Sequence, residues 1–236
     1  MQTMRNAENS NIGHEYKKGE FFTRLSSEAV ADLDSMKFPT SYPAGVILFS
    51  EKDSASGIFI ILSGEVKLSI NSSEGKRLSL HIARAGEILG LTSTLTGSPS
   101  EMTAETLHPA KLAHIRRSDF LGFLMRHPEA YQTVTEELSR QYTLACEQLR
   151  MVGLSATAPE KLARLLLDWS VNGQTTECGT RFHFSMTHEE IGEFIGASRE
   201  TVTRTLSIFK TRRLVACQGA MLTIPNKMAL ASYAGC

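Results

Sequence analysis

No run of apolar residues in this 236-residue chain approaches the roughly 20 that a membrane-spanning helix needs. The opening MQTMRNAENSNIGHEYKKGE also lacks the apolar core of a secretory signal. A cytoplasmic protein with no membrane partner is expected. Cysteine is scarce, and Cys146, Cys178, Cys217 and Cys236 are too widely spaced to make a C-x-x-C pair. They read as reduced thiols rather than a disulfide framework, with Cys146 a packed one. There is no excess charge either: Lys+Arg and Asp+Glu number 25 each, so any contact with an anionic polymer has to be local. Neither a Ser-His-Asp or Cys-His arrangement nor a phosphate-cradling loop is present. His81, His108 and His114 stand apart, not as the H-x-H pair with a nearby carboxylate that metal-dependent jelly-roll enzymes present. No catalytic residue and no metal ligand is assigned, and the chain is read as not an enzyme.

What is present is densest between Phe184 and Val215. Thr187 followed by Glu190 is a capping box, which starts a helix. Ile191 and Ile195 fall on one face of it, and Gly196 supplies the positive φ that ends it. Ser198 caps a second helix, whose Val202, Leu206 and Phe209 recur at helical spacing and pack back on the first. On the other side of this second helix, 198–209, stand Arg199, Glu200, Thr203 and Arg204. These are base-reading side chains: Arg pairs with the O6 and N7 edge of guanine, Glu accepts from cytosine N4, and Thr reaches a base edge or the thymine methyl. His188, Ser198 and Thr201 are placed to meet phosphates. Five basic residues and one acid between Arg199 and Arg213 supply the local positive charge that a neutral chain needs for such a contact.

Upstream, SSEAVADLDSM at 26–36 reads as a short helix. From Phe38 to Ile115 the pattern turns all-β, with VILF, GIFIIL, EVKLSI, RLSLHIA and AKLAHI separated by turn residues and by glycines at 45, 57, 64, 86 and 90. SDFLGFLMRHP is helical and closes this region. In EAYQTVTEELSRQYTLACEQLRMVGL, a stripe of Tyr131, Val134, Leu138, Tyr142, Ala145, Leu149 and Val152 recurs at steps of three and four and calls for a partner helix. A second capping box, Thr157 and Glu160 with Pro159, opens another helix carrying Leu162, Leu165, Leu166 and Trp169. VNGQTTECGT reads as a loop, while RFHFS at 181–185 and LVACQGAMLTI at 214–224 read as strands, the latter turning at Gly219.

The segment EEIGEFIGASRETVTR at 189–204 resembles the DNA-binding motif of the CRP/FNR superfamily of bacterial transcription regulators. The runs Tyr42-Pro43-Ala44-Gly45, Leu62-Ser63-Gly64-Glu65-Val66 and Ala85-Gly86-Glu87 resemble the β-roll of its cyclic-nucleotide-binding domains. The resemblance implies a small-molecule pocket in the roll, a dimer formed through the long helix, and contact with RNA polymerase. It also marks two departures. FNR-type sensors hold an iron–sulfur cluster by cysteines near the N-terminus, whereas no cysteine here precedes Cys146. Cyclic-nucleotide binders carry a Gly-Glu pair for the ribose and then an Arg-Ser pair for the phosphate, but here Gly90 is followed by Leu91, and the later segment reads Ser98-Pro99-Ser100-Glu101-Met102-Thr103. Gly86-Glu87 could serve in a shifted register, yet the arginine would still be missing. No cofactor is therefore predicted, cyclic AMP is not expected, and the effector is unidentified, with Gly90, Leu91, Ser100 and Glu101 as the candidate pocket.

The expected fold class is α+β: an N-terminal jelly-roll-like β-roll, a long central dimerisation helix and a C-terminal winged helix-turn-helix. The expected divisions are an extension over 1–21, the roll over 22–127, the helix over 128–154 and the DNA-binding domain over 155–236. The expected function is a homodimeric regulator that binds double-stranded DNA. In superfamily members with the R-E-x-x-x-R pattern, the arginines read guanines and the glutamate a cytosine, which implies an inverted repeat of TGTGA-like half-sites. Thr203 also resembles the FNR-like branch, whose half-sites read TTGAT. A roll acting through a protein partner is the alternative, and a jelly-roll metalloenzyme is the more distant one.

Overall fold

The computed structural model describes residues 19–154 and 157–234, so most of the expected extension and the expected boundary at 155 lie outside them. The chain divides between Ala145 and Cys146 into two compact units.

The first unit begins with α1 (Glu20–Thr23) and α2 (Ser27–Met36), the latter capped by the Ser26 hydroxyl accepting from the Ala29 amide. Eight strands follow: β1 (Phe38–Tyr42), β2 (Ile47–Phe49), β3 (Gly57–Ser63), β4 (Glu65–Asn71), β5 (Arg77–Arg84), β6 (Ile88–Leu89), β7 (Thr103–Thr106) and β8 (Ala110–Arg116). They pair antiparallel in two four-stranded sheets, β1-β8-β3-β6 and β2-β7-β4-β5. Between β6 and β7 lies α3 (Leu91–Thr96), and after β8 comes α4 (Arg117–Arg126).

Alternation along β3 builds two cores from one strand. Ile58, Ile60 and Leu62 join a cluster with Phe21, Phe22, Leu33, Phe120, Phe123 and Val134 on the helical side. Phe59 and Ile61 point the other way, into the roll interior with Val66, Leu89, Ala104 and Leu112. At Gly57 φ is +146°, and an added Cβ would lie 2.0 Å from the Ile115 carbonyl oxygen, so no other residue fits this crossing of β3 and β8.

Helix α5 (Ala130–Leu154) runs across the division of the chain. The second unit continues with α6 (Ala158–Trp169), a 3-10 turn (Ser170–Asn172), β9 (Gln174–Thr176), β10 (Gly179–His183), α7 (His188–Ile195), α8 (Arg199–Thr211), β11 (Ala216–Gln218), β12 (Met221–Ile224) and α9 (Lys227–Ala231). Its strands form one antiparallel sheet, β11-β12-β10-β9, beside the three helices α6, α7 and α8.

Several sequence expectations need correction. Phe21, assigned to the extension, is 3% exposed in the roll core, because Phe21 and Phe22 meet edge to face and together cap its helical side. The region read as all-β contains α3, a Thr/Ser-rich helix bracketed by left-handed Gly90 and Gly97. The loop VNGQTTECGT carries the 3-10 turn, β9 and the start of β10, which pair as a hairpin. The stripe on α5 does not face one way. Val134 is 2% exposed in its own roll's core and Leu138 packs against that core, whereas Tyr131, Tyr142 and Leu149 are exposed. At 100° per residue Tyr131, Tyr142 and Leu149 lie within about 20° of one another, while Val134 lies about 60° to one side of Tyr131, so the stripe has one edge on the roll core and another edge exposed.

A polar hub fixes α5 to the sheets within the first unit. The Glu87 carboxylate accepts from His81 Nε2 at 2.8 Å, from the Arg140 guanidinium at 2.9 Å and from the Arg84 amide at 3.0 Å. Arg140 also pairs with Glu137, one turn back, at 2.7 Å, and burial works against its charge less than these two carboxylates favour it. Burial alone would raise the Glu87 pKa, but the hydrogen bonds and charges of His81 and Arg140 outweigh it and hold the group at about 2. This folded-state value lies below the ordinary 4.5, so the stabilisation is present above that pH and is lost as pH falls toward 2. Glu87→Gln is expected to cost roughly 2–3 kcal/mol at neutral pH, and wild type and variant should converge in urea denaturation run at successively lower pH. A gap as wide at pH 3 as at pH 7 would contradict this account of the hub.

Candidate nucleic-acid interface and effector cavity

In the second unit, the two capping boxes of the sequence are formed. Thr187 Oγ1 accepts from the Glu190 amide at 3.2 Å and Glu190 Oε2 accepts from the Thr187 amide at 2.7 Å, while the Thr157 and Glu160 pair does the same at the start of α6. Gly196 ends α7 at φ 64°, and Ser198 Oγ accepts from the Thr201 amide at 3.3 Å to begin α8. Ile191, Phe194, Ile195, Val202, Leu206 and Phe209 are all buried, which fixes the rotation of α8. Gly192 is a residue the sequence reading missed: an added Cβ would stand 2.5 Å from the Ala197 carbonyl oxygen, so the tight turn depends on it. The signal was its place four residues before the helix-ending Gly196.

That rotation leaves Arg199, Glu200, Thr203 and Arg204 exposed on the first turns of α8, with Ser207 and Ile208 continuing the same arc. Helix α8 runs two residues beyond the expected end, to Thr211. Thr203 donates to the Arg199 carbonyl at 2.9 Å and its Oγ1 lies 2.7 Å from His188 Nδ1, so the half-buried His188 ring braces a reading position instead of standing free. Ser198 and Thr201 share a hydroxyl contact of 3.2 Å. The Glu200 carboxyl is held below the ordinary range, first by its own backbone amide, then by the Ser198 hydroxyl and the Arg199 charge. It is ionised at neutral pH and turned toward the start of its helix. Of the five basic residues, Arg212 is committed to Tyr233, donating to its hydroxyl and lying 5.6 Å from the ring centroid. Arg199, Arg204, Lys210 and Arg213 are exposed to solvent. The arrangement can present donors, one acceptor and positive charge to a grooved polyanion.

In the first unit, the roll encloses a cavity of about 700 Å³, its open mouth included. Gly90, Leu91, Ser100 and Glu101 all lie on its wall, as does Glu87, the glutamate of the shifted register. Gly90 adopts φ 77°, with the Gly57 carbonyl oxygen 3.0 Å from where a Cβ would be. Leu91 is buried and Glu101 exposed. Among the contributors the sequence reading missed are His81, set aside there as an isolated histidine, and Gln141 and Leu144 of α5. Ala145, assigned to the dimer stripe, also lines this cavity. Among the described residues, no group of three or more His, Cys, Asp or Glu is arranged to hold a metal ion, and no helix is long and apolar enough to cross a membrane.

Comparison with known proteins agrees with this geometry. Residues 39–127 match the cyclic nucleotide-binding domain family and residues 160–233 the Crp-like helix-turn-helix domain family. The CRP-like cAMP-activated global transcriptional regulator of Mycobacterium tuberculosis is 26% identical over 90% of this chain and 95% of its own. The global nitrogen regulator of Synechococcus elongatus is 26% identical over 84% and 92%. Among solved structures, FixK2 of Bradyrhizobium japonicum superposes with a TM-score of 0.74 at 20% identity, covering 84% of this chain and 96% of that one. CLP of Xanthomonas campestris, described as c-di-GMP responsive, gives 0.74 at 18%, covering 85% and 100%. With a nucleotide-binding-type roll, a capped helix-turn-helix and relatives that are transcriptional regulators and not enzymes, this chain belongs to the CRP/FNR family of transcription regulators.

Proposed function

We propose that the protein acts as a homodimer that reads an inverted repeat of TGTGA-like half-sites through α8, under the control of a small molecule held in the roll and distinct from cyclic AMP. The reading rests on the exposed Arg199, Glu200, Thr203 and Arg204, carried on a helix whose other side is buried. In a helix-turn-helix, the N-terminal residues of the second helix meet the base edges, and two half-sites one helical turn apart match a two-fold protein. RNA polymerase enters as a partner through the family alone, and the work is done in the cytoplasm.

Dimerisation is supported by Tyr131, Tyr142 and Leu149 of α5, which are 49%, 73% and 64% exposed. Large apolar side chains that recur exposed along one helix fit a partner copy. The effector reading is supported by the cavity wall, where a leucine follows Gly90 and no arginine or lysine is present.

Three outcomes are expected. Tyr142→Glu with Leu149→Glu places like charges at the seam, and sedimentation should show monomers with much weaker operator binding. An unchanged sedimentation coefficient would sink the dimer through α5. Calorimetry should find no cyclic AMP affinity as tight as micromolar, about −8 kcal/mol, and such an affinity would mean that the phosphate has a partner not foreseen here. Selection from a random DNA library should enrich a two-fold symmetric motif. Glu200→Ala should relax preference at one position per half-site, and Arg204→Ala should cost about 1–3 kcal/mol on the best site. Failure of the wild type to enrich any symmetric motif would instead favour a roll acting through a protein partner.

A further inference from the structure

The cavity's chemistry is specific enough to define the molecules that fit it. Much of the wall is apolar, from Phe49, Leu68, Leu80, Leu89, Leu91 and Leu144. Neither arginine nor lysine lines it. Most of its polar side chains are already engaged. His81 and Glu87 hold each other, and Glu87 also holds Arg140. Ser93 donates to the Gly90 carbonyl at 3.2 Å, and the Gln141 amide nitrogen donates to the Ile88 carbonyl at 3.1 Å and to Glu137 at 2.9 Å. What is left for a ligand is the carboxylate of Glu101 at the exposed rim, the side-chain carbonyl of Gln141 and the hydroxyls of Thr92 and Ser100. Among side chains this set is rich in acceptors, carries one negative charge and offers only hydroxyl donors.

An anion entering such a site loses its hydration and meets a carboxylate with no cation to offset it, whereas a neutral or cationic donor meets acceptors. We propose that the roll cavity binds an uncharged or cationic small molecule with an apolar body and hydrogen-bond donors, and that it excludes phosphates and carboxylates. The assignment rests on the effector reading of the roll. It extends that reading by specifying the sign and polarity of the ligand.

A matched series of probes tests it on the purified full-length chain: indole, tryptamine, indole-3-acetate and cyclic AMP, each followed by calorimetry up to millimolar concentration. Indole and tryptamine should bind, and the two anions should not. Met102→Trp, which fills a half-exposed position of the wall, should abolish binding of both. Glu101→Gln should weaken tryptamine up to about fivefold more than indole, the range an exposed ion pair commands, and Glu101→Arg should admit indole-3-acetate. Binding of either anion to the wild type as tightly as tryptamine, silence of both indole and tryptamine, or indifference to Met102→Trp would each overturn the proposal. Melting curves of the variants confirm that they fold. Selection of DNA sites in the absence of probe is scored separately, so loss of DNA reading with probe binding intact removes the regulator assignment and leaves the cavity assignment in place.

Discussion

Strand β3 has no solvent face, and the architecture of the first unit follows from that constraint. A strand whose successive side chains are all large and apolar must be covered on both sides. The second sheet covers one side through Val66, Ala104 and their neighbours, while α1, α2, α4 and the first turns of α5 cover the other. The strand's entry at Gly57 is set by the approach of the Ile115 carbonyl, which in turn places the Gly57 carbonyl against Gly90 at the head of α3. Cavity, sheet crossing and central helix are therefore positioned by a single seven-residue segment.

The features legible in the sequence were those with a local physical cause. Capping boxes declare themselves within four residues because donor and acceptor are both nearby, and so the starts of α6 and α7 were readable. The same holds for Gly196, whose left-handed turn needs no distant partner. What escaped was set by contacts remote in sequence. Strand β1 contains Pro39, which weakens any strand reading, but β1 is the edge of its sheet, where a missing amide is tolerated. His81 looked isolated because its partner Glu87 lies across a turn and Arg140 lies on another element. The α5 stripe looked continuous because spacing reports a helical face and not what covers it.

The candidate pocket residues were named from a departure from a family pattern, and the structure brings all four to one wall. A roll is a container whose lining side chains can change while the backbone hydrogen bonds of its sheets stay fixed. The hub around Glu87 lies at the junction between the container and α5, and three residues of that helix, Gln141, Leu144 and Ala145, close the cavity.

The packing of Tyr233 and Ala234 has a practical side. Tyr233 meets Phe209 of α8 at 5.4 Å between ring centroids, receives Arg212, and is followed by Ala234, 2% exposed, whose carbonyl accepts from Arg164 at 3.0 Å. These residues close the far end of the reading helix and belong to its support. A chain cut before Tyr233 would strip an aromatic contact and a carbonyl acceptor from that support, and an affinity tag joined here would crowd it.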